Sequence, residues 1–281
     1  VRDLLRRAIA HSTIRLVEAE PIVRDGEDPE GVHAARVGVR HLRSDLKTFG
    51  PLLDRGRTEP LRAELSWLAG LLGPVREADL LEQRLRRRIV EAEGELAPAK
   101  VLVDELEAVR LEARVRLLRA LDSARYSELL DALEASATAP PTTGEGDRPA
   151  RRAGRAIAAP WSALRRRARR LGPGATDGAL HEVRIRAKRV RYAAEAVSPA
   201  FGKRAVRFAE AAATLQGVLG DHQDAVVASA WLAEHALDAA DPSVAFAAGR
   251  LAEQEAIGRA RARDRWPRAW QALRAEGPFW S

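Results

Sequence analysis

Cysteine and methionine are both absent from the 281 residues of this chain, and aromatic side chains are scarce. Without cysteine, disulfide bonds and thiolate metal sites are excluded. Aromatic residues make up 5% of the chain, which is few for a protein that stacks nucleic-acid bases on aromatic platforms. No apolar run approaches the ~20 residues of a membrane span, and residues 1–7 carry charges where a signal peptide would be apolar. We therefore expect a cytoplasmic protein without a membrane partner.

Lysine is nearly missing from a chain rich in basic residues. Of 47 basic side chains only four are lysines, and the 40 acidic residues leave a net charge of +7. The excess lies in the second half, because residues 1–140 carry 23 basic and 25 acidic side chains, whereas residues 141–281 carry 24 and 15. Arginine forms planar, bidentate hydrogen bonds with phosphate. The composition therefore favours a polyanionic partner.

Nearly the whole chain has the composition of α-helix. Ala, Leu, Arg and Glu dominate, and no segment alternates apolar and polar residues as a strand would. We predict an all-α protein, because many helices joined by short loops form a helical bundle. Proline and glycine cluster in one loop-like segment. We expect one domain over residues 1–281, made of a helical repeat at 1–137, a linker at 138–149 and a second helical repeat at 150–281.

Individual residues predict where several helices begin and end. Asp28 followed by Pro29 predicts the start of a helix that reaches about Phe49. Thr58 is a predicted N-cap, and Gly73-Pro74 is a predicted break. In the second half we predict helices near residues 176–197, 200–219, 221–239 and 243–274.

Two short motifs occur twice at nearly the same spacing. The segments Val32–Arg43 (VHAARVGVRHLR) and Leu180–Arg191 (LHEVRIRAKRVR) align at an offset of 148 residues. The segments Leu72–Ala78 (LGPVREA) and Leu219–Ala225 (LGDHQDA) align at an offset of 147. Two motifs in the same order at nearly equal offsets indicate an internal duplication.

The first motif places a row of cations on one helix face. At ~100° per residue, the polar stripes contain His33, Arg36, Arg40, Arg43 and Lys47 in one copy, and His181, Arg184, Lys188 and Arg191 in the other. The opposite faces are apolar, so each helix docks that side in the bundle. A solvated helix face normally mixes charges of both signs, whereas like charges three or four residues apart repel each other. The stripes therefore predict an anion site, with an ordinary solvated face as the alternative.

The histidines of these motifs allow several roles. His33 and His181 can hydrogen-bond to nearby backbone, or donate to a bound phosphate. A phosphorylated or catalytic histidine is a further alternative. We expect no metal site, because cations surround both positions, and no cofactor. His222, which lies beside Asp221 and Asp224, is interpreted as part of a helix cap.

The doubled pattern His-x-x-Arg-x-x-x-Arg/Lys-x-x-Arg, each copy followed by a Leu-Gly motif with an acidic residue, resembles the CHAD domain, the conserved histidine α-helical domain. The resemblance covers essentially the whole chain and includes no partner domain of the triphosphate-tunnel (CYTH) type. It implies two pseudo-symmetric helical bundles around a basic central cleft, which binds inorganic polyphosphate without catalysis. We accordingly expect the polyphosphate-binding residues to be His33, Arg36, Arg40, Arg43, Lys47, His181, Arg184, Lys188, Arg189, Arg191, Lys203 and Arg207.

Three other functions remain as alternatives. A nucleic-acid-binding protein is disfavoured by the low aromatic content and by the lack of a recognition helix. An enzyme that handles phosphates through His33 or His181 is disfavoured because no carboxylate-rich magnesium site accompanies the histidines. A scaffold that meets other proteins on polyphosphate granules is suggested by the basic run 165–170, and granules would then be the location within the cytoplasm.

Overall fold

The computed structural model describes residues 2–92, 94–143, 149–172 and 174–280. Within these residues the chain forms nine α-helices and no β-strand, which confirms the predicted all-α class. None of the described helices is long and apolar enough to cross a membrane. The helices are α1 (Arg2–Asp25), α2 (Glu30–Thr48), α3 (Arg55–Glu91), α4 (Lys100–Leu121), α5 (Ala124–Thr138), α6 (Pro149–Ala168), α7 (Asp177–Phe201), α8 (Lys203–Asp238) and α9 (Pro242–Glu276).

Side chains at the helix starts explain where the two motif helices begin. Asp28 accepts a hydrogen bond from the backbone N–H of Glu30 at 2.8 Å, close to the predicted start of α2. Thr176 caps α7 and accepts from the backbone N–H of Ala179 at 3.2 Å. Such caps satisfy backbone donors that have no partner inside the helix. His33 and His181 thereby lie in corresponding early turns of α2 and α7.

The predicted break at Gly73-Pro74 is wrong, because α3 runs through it. A proline removes one helical hydrogen bond, and its ring clashes with the Cβ of the preceding residue in a helix. Glycine at position 73 has no Cβ, so the second penalty disappears. The buried side chains of Leu72 and Val75 then hold this part of the helix in the core.

The helix boundary predicted around position 220 and the predicted cap at Thr58 are also wrong. α8 continues past Gly220, since Leu215, Leu219 and Ala225 are all buried along one side of it. The cap of α3 is Asp54, which accepts from the backbone N–H of Gly56 at 2.8 Å. Thr58 lies inside the helix, where its hydroxyl donates to the carbonyl oxygen of Asp54 at 2.8 Å.

Helices that follow each other in sequence pack side by side, in the same order in both halves. In the first half α1 packs on α2, α2 on α3 and α3 on α4; in the second α6 packs on α7, α7 on α8 and α8 on α9. The halves meet where α2 contacts α7, and one hydrophobic core contains Leu42 and Leu65 together with Val190 and Leu215. This order fits the duplication, which stays a prediction.

Part of the predicted linker is packed against the helices, since Pro140 and Pro141 are buried. The backbone N–H of Asp54 donates to the carbonyl oxygen of Pro141 at 2.8 Å, and Thr142 forms an isolated antiparallel bridge with Leu53. Residues 144–148 of the predicted linker lie outside the described residues. The division into two repeats and a linker therefore stays a prediction.

Candidate functional site

The predicted cationic rows lie where α2 and α7 contact each other. Val39 and Leu42 on α2 and Ala187 and Val190 on α7 are buried, as the apolar faces predicted. The row side chains stand on the other side of each helix and are half-buried or exposed. The core thus fixes both helices with their cations directed away from it.

The arginine that follows the histidine by three residues lies against a glycine of the second motif. A Cβ on Gly73 of α3 would be 3.2 Å from Nη1 of Arg36, and a Cβ on Gly220 of α8 would be 3.8 Å from Nε of Arg184. Arg36 also donates from Nη2 to Glu77 Oε1 at 3.3 Å. The second motif therefore supplies the surface on which each of these guanidinium groups rests.

Cations of both rows converge on Lys188. Its pKa is lowered to about 8, mainly by burial and then by the positive charges of Arg184, Arg40 and Arg36. Arg184 belongs to the row of α7, whereas Arg36 and Arg40 belong to the row of α2. Because the charges of both helices act on one ammonium group, the two rows form a single positive surface.

Arg40 is held at the crossing of the two helices. Its guanidinium lies 5.3 Å from the ring centroid of Tyr192, and that of Arg191 lies 5.6 Å from the same ring. Burial lowers the pKa of Arg40, and Arg191 and Arg36 lower it further. Arg191 is partly neutralised, because its Nε donates to Glu195 Oε1 at 2.6 Å.

A cleft of about 590 Å³ opens beside this crossing. We call it the central cleft; it is lined by α2, α3 and α7, and Tyr192 and Glu59 are among its lining residues. The pKa of Lys47 is lowered by burial and by Arg189, Arg62 and Arg43. The cationic residues that line the cleft are Arg40, Arg43, Lys47, Arg62, Lys188 and Arg189.

The two histidines have different neighbours at equivalent positions. Burial lowers the pKa of His33, and the nearby charge of Arg76 lowers it further, so this imidazole is neutral at pH 7. The Nδ1 atom of His181 lies 2.6 Å from Oε1 of Gln223. Arg76 and Gln223 occupy the same place in the two copies of the second motif. Each motif histidine therefore interacts with the second motif of its own half, His181 through a hydrogen bond and His33 through the charge of Arg76.

Not every predicted site residue lies at the cleft. Lys203 and Arg207 are exposed in the first turns of α8, where Nε of Arg207 lies 3.5 Å from Glu276 Oε2. His222 is not a cap either, since it lies within α8 and its Nε2 is 3.1 Å from Oδ1 of Asp177. Among the residues the structure describes, no group of three His, Asp or Glu side chains is arranged to hold a metal ion.

Two cationic residues of the site were missed from the sequence. Arg76 belongs to the second motif, so its place beside the first could have indicated a role. Arg62 lies on α3 and belongs to neither motif, so the duplicated pattern contained no signal for it.

A comparison with known families identifies the family to which the doubled motif belongs. The CHAD domain profile matches residues 7–233. The chain belongs to the CHAD domain family. The resemblance read from the sequence is therefore confirmed.

Relatives of known sequence or structure cover nearly all of this CHAD chain. Two uncharacterized proteins of Mycobacterium tuberculosis, MT2285 of strain CDC 1551 and Rv2226 of strain H37Rv, are each 32% identical over 96% of this chain. The match covers 53% of each relative, so the chain spans about half the length of these proteins. Among solved structures, PptA from Streptomyces chartreusis has a TM-score of 0.78 at 26% identity, covering 96% of this chain and 99% of its own. The CHAD domain from the plant Ricinus communis has a TM-score of 0.76 at 31% identity, covering 98% of this chain and 93% of its own.

Proposed function

We propose that this CHAD domain binds inorganic polyphosphate along the two cationic rows and in the central cleft. The observation that carries the proposal is the position of Lys188, which lines the central cleft together with Arg40 and whose pKa is lowered by burial and by arginines of both motif helices. Like charges held this close destabilise the free protein, and a bound anion relieves that repulsion. The contact residues that we assign are the binding residues predicted from the sequence, without Lys203 and Arg207, which lie away from the rows and the cleft.

The unpartnered guanidinium atoms of the rows support an anionic ligand. Arg36 Nη1, Arg40 Nε and Arg184 Nε are buried without a hydrogen-bond acceptor among the described residues. Buried donors are normally paired, and a missing partner costs stability. Arg36 also has a carboxylate partner in Glu77, but these three buried donor atoms have none, which leaves them available to a ligand.

Polyphosphate suits this arrangement better than nucleic acid does. It is a flexible chain of closely spaced anions, and each unit offers oxygens to a guanidinium fork. Stacking of single-stranded bases needs aromatic platforms, and Tyr192, the aromatic residue of the cleft, is buried beside Arg40 and Arg191. Duplex DNA is rigid and would have to reach half-buried cations between two helices.

We further propose that binding is not accompanied by catalysis. His33 is held neutral beside Arg76, and His181 is engaged by Gln223, so both act in our proposal as positioning or hydrogen-bonding groups. We expect no release of phosphate from polyphosphate or nucleoside triphosphates with Mg²⁺ or Mn²⁺. Turnover that His33→Ala or His181→Ala abolishes would favour the alternative of a phosphate-handling enzyme.

Calorimetric titration with long-chain polyphosphate, duplex DNA and ATP tests the proposal. The affinity for polyphosphate should fall steeply between about 50 and about 300 mM salt, because each neutralised phosphate releases counterions. Equal affinity for duplex DNA of the same charge would contradict the cleft and favour a generic basic surface.

A pair of matched variants tests the location. Arg40→Gln/Lys188→Gln removes two charges at the crossing of the rows, and Lys203→Gln/Arg207→Gln removes two charges on the exposed start of α8. We expect the first variant to lose at least about tenfold in affinity, which corresponds to ~1.4 kcal/mol, and the second to lose little. Equal losses would contradict the assignment to the crossing.

The location of the protein follows from the ligand in this proposal. A polyphosphate-binding domain would be recruited to polyphosphate granules in the cytoplasm, where it would meet granule proteins. Fluorescence microscopy in cells with and without polyphosphate tests this, and an unchanged diffuse signal would contradict it.

A further inference from the structure

A second arginine-rich pocket lies between α3, α8 and α9. We call it the distal arginine pocket; its volume is about 540 Å³. None of its arginines belongs to the duplicated motifs, and the expected binding residues do not include them. The residues that line it are Arg84, Arg87, Asp221, Gly258, Arg261, Asp264 and Arg265.

Arg84 is anchored at the base of this pocket by a fully buried carboxylate. Its Nε donates to Oε2 of Glu255 at 2.7 Å, and Glu255 has 0% of its surface exposed. A Cβ on Gly258 would lie 3.8 Å from Nη2 of Arg84, so the absence of a side chain there leaves the guanidinium uncovered. Anchoring one edge of a guanidinium pre-organises the rest of its donors for an oxyanion.

Two further arginines of the distal arginine pocket have no acidic partner. Arg87 and Arg261 are exposed, and within the described parts of the chain neither forms an ion pair. Arg265 is paired with Asp221 at 2.7 Å. The pocket therefore keeps uncompensated positive charge, although two carboxylates lie in its wall.

The distal arginine pocket lies beside Arg184 of the cationic rows, because Gly220 of α8 faces Arg184 and the next residue, Asp221, lines the pocket. Asp224 of α8 interacts electrostatically with both Arg184 and Arg84: burial raises its pKa, and these two arginines oppose the rise. One carboxylate thus interacts with an arginine of the α7 row and with the anchored arginine of the pocket.

The second half of the chain lacks an arginine pair equivalent to Arg84 and Arg87. At the offset of 147 residues that aligns the second motifs, Arg84 and Arg87 correspond to Trp231 and Glu234. The two arginines that α3 contributes to the pocket therefore have no counterparts in α8.

We propose that the distal arginine pocket is a second phosphate-binding subsite, which holds the part of a long polyphosphate chain that extends beyond Arg184. This inference rests on the proposed function. Asp221 and Asp264 repel a small free anion, so the pocket gains little from single phosphates in solution. A chain already bound in the rows supplies phosphates at high effective concentration, and the pocket then adds affinity.

The test compares long and short chains on one double variant. Arg87→Gln/Arg261→Gln should weaken the binding of long-chain polyphosphate about tenfold and leave tripolyphosphate unchanged in calorimetric titrations. The slope of affinity against salt concentration should also become shallower by about one to two counterions for long chains. The matched control Arg57→Gln/Arg119→Gln removes two exposed arginines outside both sites and should change neither value.

A second variant blocks the pocket without removing an arginine. Gly258→Glu places a carboxylate beside Arg84. It should weaken the binding of long-chain polyphosphate and leave the binding of tripolyphosphate unchanged. If wild-type protein binds no polyphosphate, the proposed function fails and this inference fails with it. If both variants bind long chains as the wild type does, the pocket is no subsite while the central cleft stands. An equal loss of affinity in the matched control, or an equal loss for tripolyphosphate, would also contradict the proposed subsite.

Discussion

Arg36 crosses from α2 to α3 and rests on Gly73, so closely that a Cβ at position 73 would stand 3.2 Å from Nη1. The glycine of the second motif is thus the partner of the arginine of the first motif. Arg184 and Gly220 repeat the relation more loosely, at 3.8 Å from Nε. This contact gives a physical reason for the two motifs to occur together in each half of the chain.

The difference between the two contacts predicts different effects of alanine. Gly220→Ala has room for its methyl group and should raise the free energy of unfolding by about 0.5–1 kcal/mol, because glycine is a poorer helix former than alanine. Gly73→Ala should displace Arg36 and clash with the ring of Pro74, so we expect lower stability and severalfold weaker polyphosphate binding. Chemical denaturation and calorimetry measure both effects.

A double variant separates the two causes at position 73. In Gly73→Ala/Pro74→Ala the clash with the proline ring is gone, and only the contact with Arg36 is crowded. Stability should then recover while the loss of affinity persists. Full recovery of affinity would show that Arg36 is not the group affected.

The sequence was sufficient to predict the two rows because their pattern depends on local geometry alone. Residues three and four positions apart share a helix face, so the positions of Arg36, Arg40 and Lys188 follow once α2 and α7 are helices. The packing of the two helices against each other was implied only by the family resemblance. The doubled motif therefore predicted the cations on the two motif helices, but it did not predict which other helices contribute residues to the cleft.

Tertiary contacts determine what the sequence could not predict. Arg62 reaches the cleft because α3 packs beside α2, and no local pattern indicates that pairing. Lys203 and Arg207 share the charge and helical setting of the true cleft residues, yet they lie on the exposed start of α8. Gly73-Pro74 is a strong local stop signal that the buried neighbours Leu72 and Val75 override.

Polyphosphate binding should be linked to proton uptake by Lys188. The pKa of this ammonium is lowered to about 8 in the free protein, and a bound polyanion favours the charged form and raises it. At pH 8 the complex should therefore take up roughly half a proton, and the affinity should fall as the pH rises above 8. Calorimetry in two buffers of different ionisation enthalpy measures the uptake.

Lys188→Gln is the control for this linkage. The variant should bind more weakly at pH 7, and its affinity should no longer change between about pH 8 and pH 9.5. An unchanged proton uptake in the variant would assign the linkage to another group and contradict the role of Lys188.

Asp45 should make the free protein less stable as the pH rises. It is buried on α2, and burial together with the charge of Glu195 raises its pKa from 3.8 to about 8. Between these two values the folded protein binds a proton at Asp45 that the unfolded chain does not, so the stability that this residue contributes is full below about pH 4 and is lost as the pH rises towards 8. Asp45→Asn should therefore raise the free energy of unfolding by several kcal/mol more at pH 8 than at pH 5.

Denaturation curves at several pH values check this prediction. His41 also lies near Glu195, but burial and the charge of Arg40 lower its pKa to about 4, so it stays neutral between pH 5 and 8. His41→Gln should therefore keep the pH dependence of the wild type above about pH 7, where the imidazole is neutral in both the folded and the unfolded chain. Below that pH it should remove a loss of stability, because there only the unfolded chain protonates His41. A pH dependence that survives Asp45→Asn would show that another group is responsible.

The two rows should bind a long chain as one site. Two triple alanine variants test this, one at Arg36, Arg40 and Arg43 and the other at Arg184, Lys188 and Arg191. Each should bind long-chain polyphosphate at least about a hundredfold more weakly, because a chain bound at one row raises the local phosphate concentration at the other. Tripolyphosphate, which is too short to use both rows fully, should lose much less. Helical circular dichroism should be unchanged, since the apolar faces of α2 and α7 remain intact. If each triple variant instead halves the stoichiometry and keeps the affinity of the remaining sites, the rows bind independently and the shared site is wrong.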